Sequence, residues 1–547
     1  MKLPSDLHER ETFINNLIEK CSVSMETRKG DYSSLRAWFL FGAGPEESPA
    51  QFNKINPTID QLVSFLYAAD TTRFTIQLGS TAPEREYEKL PVLVEALNDR
   101  WMDSGGDKVF LSAMTWALVF NSTFVKLLWR DGIHPYMVEP GCIGVLREDV
   151  AHTDRQEAIV HTYYITRSDL EARLYSHPRR DSILKRLEAS QHQPENIPSA
   201  VDRIVMSQTD PTIFGTVNLD LYGFNRMKAE VAEDTIQMKE LWVWDSDSED
   251  YQCITVADPD VIIYDRPGQE IYMKGELPFI QIAPNPQFDY YWGQSEVQKL
   301  VLLQQMRNRR VTEILDILSK QVNPPKVLTG FSGIQDERNF TLNRPGGFMS
   351  SDMPGAKVDV LAPEMPADLW TEVHEIDAMF EEASGISSIL SGRGEQGVRS
   401  SGHASQLARL GSSRAKKRAL IIEDALQKVA TQYLKLMQAH DPTHYTDEKQ
   451  RKFIVEQFTR DYTVKVDAHS NSPIFMEDQR AMAFNLLKAG AIDKESLLDL
   501  IDPPMKQLLK RRLKLMQKAG QEQAAQPGPA PQGGGNVVPL KPDADSG

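Results

Sequence analysis

Gly392-Arg-Gly394-Glu-Gln-Gly397 spells the G-x-G-x-x-G pattern that cradles phosphate where a loop enters a helix. A dinucleotide site also needs a buried strand before the glycines and an acidic residue about 20 positions after them. Here only Ile386-Ser-Ser-Ile389-Leu390 precedes the glycines, and Arg414, Lys416, Lys417 and Arg418 follow. The context argues for a flexible glycine loop. Asp245-Ser-Asp247-Ser-Glu249-Asp250 imitates the start of a calcium loop, but Asp250 stands where that loop needs Gly and Val256 where it needs Glu. A solvated hairpin tip is the expectation, with no metal. The 11 histidines form no H-E-x-x-H pair, and no G-x-S-x-G elbow occurs. No catalytic constellation emerges, and no cofactor is expected.

Charge is segregated instead. Ser391 to Arg418 holds seven basic residues, Arg393, Arg399, Arg409, Arg414, Lys416, Lys417 and Arg418, and one acid, Glu395. That stretch lies in a chain of 547 residues with a formal net charge of −16. The acidic balance excludes a histone-like glove, so any contact with a polyanion must be local. A second polar cluster, Gln304-Gln-Met-Arg307-Asn-Arg309-Arg310, sits in the middle of a long helical pattern, where a helix buried in its own core would carry apolar residues. It should face solvent, a neighbour or a polyanion.

The elements that position these residues divide the chain in two. In the first half, Leu7, Phe13, Ile14, Leu17 and Ile18 mark a peripheral helix, followed by a Ser/Gly/Pro-rich loop reaching Pro49. Helices are expected at 56–69, 84–102 and 107–120, and a strand at 73–78. Thr123–Trp129, Asp131-Gly132 and His134–Glu139 make a hairpin, because Asp-Gly supplies the positive φ of a tight turn. Strands follow at 142–147, 158–166, 239–244, 251–256 and 261–264, with a loop over 191–214. The fold class is α+β.

The second half is built on long helices. One spans 293–321, stopped by Pro324-Pro325, and one spans 367–384. Between them lies a Pro/Gly-rich excursion with short strands at 326–329 and 357–361. It is far longer than a chain reversal needs and reads as an interaction module. A Gly/Ser-rich loop leads into a helix of nearly 40 residues ending near His440. Strands at 453–458 and 462–466, three shorter helices and a Gln/Ala/Pro/Gly-rich tail from 520 complete the chain. The three cysteines lie more than a hundred residues apart, which fits a reducing compartment. Asp6, Glu9 and Glu11 stand where a signal peptide needs its apolar core, and no apolar run reaches the length of a membrane span.

This order resembles the portal protein of tailed bacteriophages, the head-to-tail connector. The residues that carry the resemblance are Gly275-Glu-Leu-Pro278-Phe-Ile-Gln-Ile282 followed by Tyr290-Tyr-Trp-Gly293-Gln-Ser295-Glu-Val297, similar to the family's entry into its first stem helix. Glu381-Glu-Ala-Ser-Gly385-Ile386 running into Gly397-Val-Arg-Ser-Ser-Gly402 resembles the family's approach to its tunnel loop. The likeness covers about 56–519.

The resemblance implies a portal-type, ring-forming fold with an α/β wing, a long helical stem, a small α/β clip and a helical crown. The wing would be 1–287, the stem helices 288–321 and 367–384, the clip 322–366 and the tunnel loop 385–401. The long wing helix with its strands would be 402–472, the crown 473–519 and a disordered tail 520–547. It further implies a homododecamer at one capsid vertex of the virion, assembled in the host cytoplasm and without catalytic activity. Its partners would be the terminase large subunit, the major capsid or scaffolding protein, a head–tail adaptor and non-specifically held double-stranded DNA, with no membrane. Arg393, Arg399 and His403 would face DNA from the tunnel loop. Arg307, Arg309 and Arg310 would line the stem, and Lys326, Arg338 and Arg344 would meet terminase or adaptor at the clip. Two other classes fit the residues alone: a nucleotide-dependent enzyme built around the glycine loop, and an oligomeric scaffold unrelated to phage.

Overall fold

The structure is a computed structural model. It describes residues 1–44, 52–67, 72–79, 82–189, 235–258, 260–322, 324, 326–329, 354–355, 357–361, 363–366, 368–385, 413–446, 450–458, 462–466, 482–494, 497–498, 509 and 512–513. The chain divides into two units, Met1–Pro473 and Ile474–Gly547. In the second, a helical turn over 482–488 is described; the remaining expected crown and tail lie largely outside the described residues. So do the expected loop over 191–214 and the glycine loop beyond Gly385.

The first unit begins with two helices, Leu7–Ser22 (α1) and Met25–Phe41 (α2), then Ile55–Leu66 (α3), strand Phe74–Leu78 (β1), and helices Glu84–Asp103 (α4) and Gly106–Phe120 (α5). Strands Thr123–Trp129 (β2), Ile133–Val138 (β3), Ile143–Val145 (β4) and Ala158–Thr166 (β5) follow, then helices Arg167–Arg173 (α6) and Arg180–Ala189 (α7). Next come Thr235–Asp245 (β6), Asp250–Ala257 (β7), Val261–Pro267 (β8), the short helix Gly268–Ile271 (α8) and Phe279–Ile282 (β9). The second half holds Glu296–Val322 (α9), Lys326–Thr329 (β10), Lys357–Val360 (β11), Leu369–Ser384 (α10) and Ser413–His440 (α11). It ends with His444–Thr446 (β12), Lys452–Ile454 (β13) and Tyr462–Val466 (β14).

The class is α+β. Two antiparallel sheets dominate, one ordered β4-β5-β6-β7-β8 and one β3-β2-β9. The β2–β3 turn forms as expected, with Asp131 at φ 54° and Gly132 at φ 156°. Successive side chains on a strand take opposite faces, so the larger sheet has two interiors. On one face, Ile14, Leu17, Ile18 and Cys21 of α1 pack on Ala158, Val160, Leu241, Val243, Ile254 and Val256. On the other, α6 and α7 cover Ile165, Met238, Ala257, Val261 and Ile263. Helix α1 is therefore a core element and not the peripheral helix expected from the sequence.

The second correction is α2, which occupies much of the stretch read as a loop. Its buried residues Met25, Arg28, Lys29, Tyr32 and Phe39 recur at helical spacing, but two of them are cations. Arg28 explains how a cation is tolerated there. Its guanidinium donates to the carbonyls of Pro140 and Ile143 at 3.0 and 3.1 Å and lies 3.6 Å from the Trp292 ring centroid. A third correction concerns 453–458: only Lys452–Ile454 is strand, and Val455–Gln457 tightens into a 3₁₀ turn.

Helix α11 is buried along Ile422, Ala425, Leu426, Val429, Ala430, Tyr433, Leu434 and Met437, which makes it the spine of the body. Strand β14 then returns to pair with β1, Phe74 opposite Val466 and Leu78 opposite Tyr462.

Candidate functional site

Helices α9 and α10 run antiparallel, and the polar cluster of α9 is where they meet. Ser295 starts α9: its Oγ accepts from Gln298 N at 3.2 Å, satisfying a first-turn amide. Gly293, just before it, has φ 75°, and a Cβ there would lie 2.8 Å from the Asn285 carbonyl oxygen. This entry therefore requires glycine.

Further along, Gln304 is fully buried. It accepts from Lys54 N at 2.9 Å and donates to the Phe52 carbonyl and to Asn308 Oδ1. Arg307 donates to Asp377 Oδ1 of α10 at 2.9 Å and to the Phe52 carbonyl at 3.2 Å. Arg310 donates to Glu372 of α10 at 2.8 Å and to Glu313 at 2.6 Å. Arg309 bonds Glu313 within its own helix, its side chain 78% exposed. The neighbour that the polar middle of α9 faces is thus largely the chain itself. Arg307 and Arg310 hold the two helices together, and Arg309 is the one of the three turned to solvent.

From Leu315 to Val322 every residue of α9 except Ile317 is exposed. Leu302, Met306 and Arg309 form one exposed row at helical spacing, and Leu315, Leu318 and Val322 form another. At about 100° per residue the second row points well away from the first. On α10, Trp370 and Met379 are half exposed. The pair leaves large apolar side chains in water on more than one side.

A joint closes the head of this pair. Glu296, in the first turn of α9 and 1% exposed, accepts from Lys299 at 2.9 Å and from the Arg418 guanidinium of α11. Arg418 also donates to the Ser384 carbonyl at the end of α10, at 3.1 Å, and to Asn285 Oδ1 at 3.2 Å. The basic run expected to meet an anion therefore loses a member: Arg418 is buried and bound inside the fold, while Lys417 beside it is exposed.

A buried charged group unforeseen in the sequence lies between the two sheets. Lys126 Nζ of β2 donates to both Glu240 carboxylate oxygens of β6 at 2.8 and 2.9 Å and approaches His161 Nδ1 of β5 at 3.3 Å. Trp242 Nε1 donates to Glu240 at 2.7 Å. Because an ammonium only donates, the His161 ring accepts and is neutral. Burial, then the Lys126 charge, lowers its pKa to about 3. Burial pushes the Glu240 carboxyl up, but Lys126 and then His161 outweigh it and the group ends below the usual carboxylate range. The alternation of β5 and β6 gave no hint of it, since the partners meet only when His161 and Glu240 pair across strands.

Of the three residues expected at a clip, Lys326 opens β10, opposite Val360 of β11. Arg338, Arg344, Arg393, Arg399 and His403 lie outside the described residues. The Asp245–Asp250 tip is solvated over 246–249, but Asp250 is not: its carboxylate accepts from the amides of Tyr251, Gln269 and Gly275 at 2.8, 3.0 and 2.7 Å. It holds α8 and the following turn to the sheet. Among the described residues no three His, Cys, Asp or Glu side chains come together where they could hold a metal ion, and no helix is long and apolar enough to cross a membrane.

No family model matches the chain, and no curated protein matches it. Among solved structures, a chain from the neck of a native GTA particle computed with C12 symmetry aligns over 89% of this chain and 99% of its own, at 10% identity and a TM-score of 0.39. A chain from the neck of an empty GTA particle computed with C6 symmetry aligns over 87% of this chain and 94% of its own, at 11% identity and the same TM-score.

Proposed function

We propose that this chain is a portal-type connector of a phage-like particle. It assembles as a ring of about a dozen copies around double-stranded DNA, and offers docking surfaces to a packaging motor, to the capsid and to a head–tail adaptor. It has no chemistry of its own. The observation that carries the reading is the exposed apolar surface of α9 and α10. Leu302 and Met306 face one way and Leu315, Leu318 and Val322 another, a burden on a monomer and a benefit to an oligomer. Two dissimilar exposed faces suit a head-to-tail contact, in which each copy offers one face to the next copy's other. Such contacts give a ring when the rotation between copies closes and an open filament when it does not, whereas a two-fold dimer needs one self-complementary face.

A net charge of −16 also suits a conduit. Phosphate affinity climbs steeply with each cation engaged, so a bore must carry few of them if DNA is to slide. The reading is tested on the purified full-length chain by mass photometry and negatively stained grids. A ring with a central hole is the expected result. A strict monomer across salt and protein concentration overturns it.

A further inference from the structure

Helix α10 ends at Ser384, capped by Gly385, and α11 begins at Ser413. Five residues on from Ser413, Arg418 reaches back to the Ser384 carbonyl, so the end of α10 and the start of α11 are fastened to each other. The same guanidinium binds Glu296, in the first turn of α9, and Asn285. Asn285 in turn bonds the residue that precedes this helix by two positions. Its carbonyl accepts from Gln294 N at 2.9 Å and its Nδ2 donates to the Gln294 carbonyl at 3.3 Å. We propose that Arg418 is a positioning residue that locks the end of α10, the start of α11 and the entry to α9 into one unit, so that the three move together or not at all.

The chemistry of each partner favours a guanidinium at this point. The carbonyl at the end of α10 carries the partial negative charge of a helix C-terminus, which a cation complements. Glu296 is a full charge in a buried place, and such a group must be paired. The planar fork of arginine reaches three acceptors in different directions, whereas a lysine offers one point charge. Arg418 is 7% exposed, which leaves little room for water to replace it.

Two variants separate positioning from bulk stability, both read in the full-length protein by hydrogen exchange and thermal melting. Arg418→Lys keeps the charge beside Glu296 and gives up the fork. The double variant Arg418→Met with Glu296→Met removes both charges and fills the space with apolar side chains, a swap that buried ion pairs often tolerate without loss of stability. In both, exchange is expected to quicken about tenfold, the scale of losing a charge-assisted hydrogen bond. The quickening should appear together at Gly385, at 416–420 and at 299–303, while the melting midpoint of the double variant stays near that of the parent. Unchanged exchange at these amides in both variants overturns the proposal. So does quickening at one segment with the other two unchanged, which would show that the joint does not couple them. Neither outcome bears on whether the chain forms a ring around DNA, so the two readings fail separately.

Discussion

Lys126, Glu240 and His161 put three titratable side chains where two sheets face each other, and their protons make a measurable prediction. In the folded chain His161 stays neutral down to about pH 3, whereas the ordinary imidazole takes up a proton near 6.5. Between those values the unfolded chain binds more protons than the folded one, so stability rises with pH across that window and falls on acidification. From pH 7 to pH 5 the imidazole accounts for a loss of about 2 kcal/mol. Glu240, held below its ordinary range by Lys126, loses stability in the same direction at lower pH. In His161→Gln, which keeps an acceptor for Lys126, the loss between pH 7 and pH 5 should shrink by about that amount. Urea unfolding at the two pH values decides it; identical losses in both proteins would show that His161 does not carry the dependence.

At the scale of elements, α9 and α10 are joined by two arginines of unequal worth. Arg307 has a side chain 13% exposed and donates both to Asp377 and to a backbone carbonyl, while Arg310 and its partner Glu372 are each about a third exposed. A charge-assisted bond in a sheltered place contributes roughly 1.5–3 kcal/mol. A solvated pair contributes much less, and salt screens it. Arg307→Ala should therefore loosen α10 more than Arg310→Ala, read as exchange of the Val373–Phe380 amides, and only the Arg310 effect should fade in high salt. Equal effects would show that shelter does not rank the two pairs, and a dominant Arg310 would make the exposed pair the bolt.

What the sequence made legible follows from how local each signal is. The β2–β3 hairpin is written in Asp131-Gly132, and α9 is bounded by Gly293 and Pro324, so both could be placed within a few residues. Helix α2 was hidden because Arg28 and Lys29 interrupt its buried stripe, and cations on a buried stripe read as surface until their carbonyl and aromatic partners are known. The β1–β14 pairing joins Phe74 to Val466, and nothing in either strand names the other. At the candidate site, α9, α10 and their polar cluster were visible. That Arg418 would turn inward while Lys417 stayed outside was not, because neighbours on a helix differ only in the face they happen to present.

On the scale of the whole molecule, the proposed ring would be an acidic assembly around a polyanion, and some position in it would have to meet phosphate. The resemblance to portal proteins assigns that task to Arg393 and Arg399, the arginines of the glycine-bearing segment, and to His403 four positions further on. In a ring of about a dozen copies each position becomes a collar of like charges, able to meet phosphates without reading bases. The competing reading is that these arginines pair with Glu395 or Glu382 of an adjacent copy and never touch DNA. The double variant Arg393→Ala with Arg399→Ala separates them, because in the first case ring assembly survives while packaged DNA is held less well. The deficit should narrow at higher ionic strength, where salt screens the arginine–phosphate contacts that the wild type alone makes. In the second case rings weaken and retention per assembled particle does not change. Nuclease-protected genome per particle, measured at two ionic strengths beside a count of intact rings, tells the cases apart; wild-type retention at both would remove DNA contact from these two residues.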